Sequence, residues 1–218
     1  MTIASYIGMV LRIMVLMADF THILATRPDF TESDREWLHH LVADWQVIAD
    51  LSFADLLLIV QDGDGNYRIV EQCRPSTVMT LRIDDAVGAL VAPEMVGELD
   101  AAMQSKTVFR STVLRAVGKS TVCNVYAPVR HDGKTLGLVV RETNMATRES
   151  NGRYESESIN AGKQLYEMIP RGQFPYVNAI MSQRHVARVS DGFIMLTQEA
   201  SYATPRPTPS AASEGWDA

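Results

Sequence analysis

The chain has 218 residues, 46% of them hydrophobic and 21% charged, which provides material for one full core with attached pieces. A formal net charge of -6 and a pI near 5.4 offer phosphates no general attraction, and no local basic patch offsets them, so direct nucleic-acid binding is excluded as an expectation. Two cysteines, Cys73 and Cys123, make neither a disulfide framework nor a CxxC pair, and a reducing cytoplasm is the expected compartment.

Along the chain, the apolar run "YIGMVLRIMVLMA" (Tyr6 to Ala18) is too short to span a membrane and carries Arg12 at its middle. A start at Met17 would remove it, and residues 1–29 are read as a leader, over-extended at its start. "TESDREWLHHLVADWQVIADLS" is predicted as one helix with Ser33 as N-cap and Glu36 completing a capping box. Its apolar stripe is Trp37, Leu38, Leu41, Trp45, Ile48 and Ala49. Two β-rich runs, Leu56 to Val60 and Tyr67 to Cys73, flank Asp62-Gly63-Asp64-Gly65-Asn66 and predict a β-hairpin. "TVMTLRI" after Pro75 predicts a third short strand, and Pro93 opens a helix over about Glu94 to Gln104. The β-branched stretches "TVFRSTVLRAV" and "STVCNVYAPVRHDGKTLGLVVRETN" follow, the second turning at His131-Asp132-Gly133-Lys134. A helix from Tyr154 to Pro170 then presents Ile159, Leu165, Tyr166 and Ile169. The sum is an α+β domain with five or six antiparallel strands. The last residues, rich in Pro, Ser and Ala, predict a disordered tail.

Several motifs point to chemistry and then fail on their surroundings. His39 and His40 are followed by "LVADWQ", which lacks the basic and amide residues of a phosphoacceptor helix, and read as a solvated or partly packed helix face. "DGDGN" lacks the twelve-residue length and closing glutamate of a calcium loop. "GKS" at Gly118 to Ser120 lacks the earlier glycine of a phosphate loop, since Leu114 and Val113 stand there. Cys123 and His131 could approach across a hairpin, but a metal site needs more convergent ligands, so no metal and no cofactor are expected. Without paired carboxylates or a Ser-His-Asp set, the chain reads as a binding or signalling module and not an enzyme. The candidate ligand-binding residues are Cys73, Arg74, Cys123 and Arg130, which stand at or near predicted strand ends with polar or reactive groups. Arg74 and the loop after it are expected to line the site, with Cys73 packed behind them as a small hydrophobe.

"WQVIADLSFADLLLIV", "IVEQCRPST" with "DDAVGALV" after it, "VYAPVRHDGKTLGLVVRETN", "GQFP" and "SDGFIMLTQEASYATP" together resemble, in order and spacing, the N-terminal sensory region of actinobacterial signal-transduction histidine kinases of the PdtaS type. The resemblance runs from about Met17 to Pro205. It implies a GAF-like sensor domain over 30–171, with helices on one sheet face and a loop-lined pocket on the other. It further implies a linker over 172–189, an incomplete PAS start over 190–203 and a tail over 204–218. A cytosolic homodimer, joined through terminal helices, is implied as well. Phosphotransfer to an RNA-binding response regulator would need the kinase core that the resemblance places beyond this sequence. The phosphoacceptor and ATP-binding regions of such kinases are not found here. Two functional readings stand: a sensory module that binds a small ligand or partner and signals through its terminal helices, or a kinase-less interaction protein that heterodimerises with a full-length kinase. A degenerate fragment is a third.

Overall fold

The computed structural model describes residues 21–148 and 153–176. The apolar run at the start, the expected PAS opening over 190–203 and the expected tail over 204–218 lie outside the described residues.

Helix α1 spans Glu32–Asp44 and α2 spans Gln46–Ser52, where the sequence predicts a single helix. The break falls at Trp45, whose side chain is buried and whose backbone (ψ of -8°) leaves the helical path for one residue. The capping box is also shifted. Thr31, not Ser33, is the N-cap: Asp34 N donates to its hydroxyl at 3.2 Å, and Thr31 N donates to the Asp34 carboxylate at 2.9 Å. "TESD" and "SDRE" offer the same spacing of hydroxyl and acid in two registers. Tertiary contacts select the first, because buried Asp34 also meets His131 Nδ1 at 3.0 Å and Lys134 Nζ at 3.2 Å.

The predicted hairpins form as β1 (Asp55–Gln61) with β2 (Tyr67–Cys73) and β4 (Ser120–His131) with β5 (Lys134–Asn144); β3 spans Phe109–Val117. The five strands lie in the order β2-β1-β5-β4-β3, with all neighbours antiparallel. A turn of 3-10 helix, Pro93–Met95, leads into α3 (Val96–Gln104). The short α4 (Met145–Arg148) and the long α5 (Arg153–Met168) follow the sheet.

The sheet is covered on both faces, so β1 is buried along nearly its whole length instead of alternating. On the first face, Leu56, Leu58, Val60, Val125, Ala127, Val129 and Val139 pack against Leu38, Leu41, Trp45 and Ile48 of α1 and α2 and against Tyr166 and Ile169. Ile23, Leu24 and Phe174 join this cluster from either end of the domain. On the second face, Leu57, Ile59, Tyr67, Ile69, Tyr126, Leu138 and Val140 pack with Leu99 and Ala102 of α3.

The strand expected from "TVMTLRI" does not form; residues 74–92 run as an irregular loop over this second face. Carboxylates compete successfully with a strand ladder for its polar groups: Leu81 N and the Thr80 hydroxyl both donate to Asp55, and Ser76 N donates to Asp50 at 2.6 Å. The end of the loop lies along β2, where Val91 N donates to Tyr67 O and Ile69 N to Ala89 O.

Burial opposes the ionisation of Asp34, but hydrogen bonds from His131, Thr31 and Lys134 outweigh it and hold its carboxyl well below the ordinary 3.8. A lowered folded-state value contributes stability at pH above the unfolded value and loses it as pH falls through the folded one. Asp34→Asn is therefore expected to cost about 1–3 kcal/mol at neutral pH. In urea titrations the gap between wild type and variant should stay constant above about pH 5 and shrink as the solution is acidified below about pH 4. A gap that does not vary with pH would contradict this role.

Candidate functional site

Antiparallel register puts Arg110, Val125 and Arg141 in one row across β3, β4 and β5, with Cys123 and Thr143 in the row beside it, all facing the helical layer. α5 crosses above them and turns Ser156, Ile159, Lys163, Tyr166 and Glu167 downward at helical spacing. Ser52 and Phe53, at the end of α2, close a third side. These groups line an open cleft of about 600 Å³.

The α2 terminus and α5 meet closely. A Cβ on Gly162 would fall 2.7 Å from Ser52 Oγ, 3.0 Å from Leu51 Cβ and 3.1 Å from the Leu51 carbonyl carbon. Phe53, just past the crossing, has a left-handed backbone (φ 48°, ψ 47°), a conformation costing a non-glycine residue about 1 kcal/mol or more. Ser52 Oγ is buried beside it without a hydrogen-bond partner. Strain and an unmet hydroxyl at the wall of a cleft are properties that binding sites retain and cores eliminate.

The lining carries three cations, Arg110, Arg141 and Lys163, against one carboxylate, Glu167. Arg110 Nη1 lies 3.7 Å from Cys123 Sγ, the Arg141 guanidinium lies 5.0 Å from the centre of the Tyr166 ring, and Lys163 Nζ lies 3.8 Å from Glu167. At the cleft floor the Tyr166 hydroxyl sits 2.6 Å from Val125 O and 2.7 Å from Val139 O, so one proton is shared between carbonyls of adjacent strands. Burial pushes the Tyr166 phenol above its ordinary 10 and keeps it a donor. The arrangement can attract and orient an anion. It holds no paired acid and base for chemistry.

Of the four residues the sequence singles out, Cys123 lies in the cleft and the others do not. Cys73 is buried at the end of β2, where its thiol donates to Gln46 Oε1 at 3.3 Å. Arg74 gathers the loop after it, donating to the carbonyls of Arg82, Ile83 and Asp84 at 3.0, 3.3 and 3.1 Å. Arg130 reaches Gly133 O at 3.5 Å across the β4–β5 turn. His131 stands at the opposite end of β4 from Cys123, stacked on Trp37 at 4.7 Å, so the two cannot share a metal. Arg110, Arg141 and Lys163 went unmarked in the sequence. The available signal was parity: Arg141 shares the inward phase of Val139, which puts a charge where a core residue belongs.

Two outcomes test this geometry. Burial, with Asp50, Asp55 and Glu71 nearby, pushes the Cys73 thiol far above its ordinary 9. Cys73 should thus resist iodoacetamide at pH 8 in the native protein and react fully once urea unfolds it, as read by peptide mass spectrometry. In an exposed helix Gly→Ala stabilises by about 1 kcal/mol. At Gly162 the sign should reverse, with a loss of about 1–3 kcal/mol by thermal or urea unfolding, because the Leu51 backbone cannot yield.

The family model for the GAF domain of histidine kinase PdtaS matches residues 20–161. The sensor histidine kinase PdtaS of Mycolicibacterium smegmatis is 31% identical over 194 residues, and that of Mycobacterium tuberculosis (strain CDC 1551 / Oshkosh) is 32% identical over 198. Each match covers 87% of this chain and 39% of the relative, so the chain spans well under half the length of these proteins. A solved structure described as the sensor region of a sensor histidine kinase superposes with a TM-score of 0.65 at 30% identity, over 81% of this chain and 61% of that one.

Proposed function

The chain belongs to the PdtaS histidine kinase GAF family, and on that premise we propose that it is a sensory module that takes a small anionic ligand in the cleft beneath α5 and passes the event on through that helix. The observation that carries this reading is the position of α5. It forms one wall of a cleft lined by Arg110, Arg141 and Lys163, and it is fastened to the sheet by Tyr166 beside those same cations. A ligand drawing Lys163 and Arg141 together changes the seating of α5, and a shift in a helix is how such a domain can influence what lies beyond it. Homodimerisation through the helices is part of the same reading, to be checked by light scattering.

Heterodimer formation through the apolar faces of the first and last helices has less support. Leu41, Trp45, Tyr166 and Ile169 are buried against the chain's own sheet. The larger share of that surface is already in use.

A thermal-shift screen of nucleotides, cyclic dinucleotides, organic acids and divalent metal ions tests the proposal. A ligand at 100 times its dissociation constant adds about 2.7 kcal/mol, a clear rise in Tm. Anionic compounds should give that rise, and Arg110→Ala or Lys163→Ala should each weaken binding about tenfold or more. A response confined to metal ions, or none across the screen, would sink the anion reading.

A further inference from the structure

The second sheet face carries an unusual row. Register sets Asp55 of β1 opposite Glu142 of β5, and Glu142 opposite Asn124 of β4, so their side chains share the face covered by the loop 74–92. The three residues are 1%, 2% and 2% exposed. Like charges directly opposite on neighbouring strands repel, and burial removes the water that would screen them.

Among the described residues one cation answers this pair. Arg82 Nε and Nη2 donate to Glu142 at 2.6 and 2.8 Å. Asp55 receives neutral donors only, Leu81 N and the Thr80 hydroxyl. Asn124 adds a second, independent sign. The Tyr126 hydroxyl donates to Glu98 at 2.8 Å, so the Asn124 amide must turn its NH2 toward that oxygen, at 3.4 Å. Asn124 Oδ1 is thereby left buried without a donor. The row is a seat built of acceptors, and a fork of N–H donors suits it.

Arg82 enters this seat from an element of low intrinsic stability. Residues 74–92 have no helix and no strand pairing of their own, and Met79 and Ile83, on either side of the contact, are 92% and 86% exposed. Two carboxylates and an amide fit an organic cation better than a metal; among the described residues no group of three or more His, Cys, Asp or Glu is placed to hold one.

We propose that the Asp55–Glu142–Asn124 row is a binding site for a small organic cation of the guanidinium or primary-ammonium class, and that Arg82 is its built-in competitor. A bound cation takes over Glu142, meets the charge of Asp55 and the orphaned oxygen of Asn124, and frees the loop that Arg82 holds down. This site is separate from the cleft beneath α5 and does not depend on what that cleft binds.

The test uses the full chain and methylguanidinium chloride at low millimolar concentration, with neutral methylurea as control. In Arg82→Ala the seat is vacated, and methylguanidinium should raise Tm saturably by about 3 °C, methylurea not at all; adding Glu142→Gln should abolish the rise. In wild type, methylguanidinium should accelerate chymotryptic cleavage after Met79 or Leu81 several-fold, since the loop is displaced. A folded Arg82→Ala with no cation-specific rise, or a rise that survives Glu142→Gln, overturns the proposal. If Arg82→Ala does not fold, the wild-type digestion decides: a loop cleaved at the same rate with and without the cation overturns it equally.

Discussion

Three buried carboxylates, Asp50, Asp55 and Glu142, fix the long irregular loop that covers one face of the sheet. A loop of this length over a buried surface must place its backbone polar groups somewhere, because an unmet buried donor costs about as much as a lost hydrogen bond. Here the donors go to side chains that the helix and sheet already hold rigid: Ser76 N to Asp50, Leu81 N to Asp55 and the Arg82 fork to Glu142. Arg74 closes the far side by collecting three loop carbonyls. The loop is therefore ordered by the scaffold's charges more than by its own apolar residues, two of which point outward.

The two faces of the sheet are thereby given different work. One buries an apolar layer against α1, α2 and α5 and leaves a cationic cleft at the end where α5 lifts away. The other carries an acidic row closed by an arginine from above. Both reach the same strands: Arg141 and Glu142 are consecutive in β5, one on each side. A change on one face has only the thickness of a strand to cross before it meets the other.

Much of this was legible in the sequence, where local order decides the outcome. The two hairpins form where Asp-Gly turns separate β-rich runs, and the stripe from Leu38 to Ala49 is buried as its spacing requires. The family resemblance rested on such segments, and the match over residues 20–161 agrees with it. Elements governed by distant partners were not legible. "TVMTLRI" has the composition of a strand, yet it is claimed by Asp55 and Glu142, which the sequence cannot place beside it. The capping box slid by two residues because His131 and Lys134, about a hundred positions away, wait for Asp34. The cleft needs strand register and helix phase together. Looking at strand ends favoured Arg74 and Arg130, while the cations that converge stand inside strands and on α5.

The bonds between β2 and residues 88–91 have a bearing on solubility. The outer rim of a sheet is a template for another chain's strand, and long flat rims are where folded proteins begin to aggregate. With Tyr67 and Ile69 already bonded to that segment, the β2 rim is closed to a newcomer. At the other rim, β3 loses register with β4 between Arg110 and Leu114, and such a bulge bends the strand that an incoming chain would have to follow. Copies of this domain are thus directed away from runaway edge-to-edge growth and toward meeting through their helices.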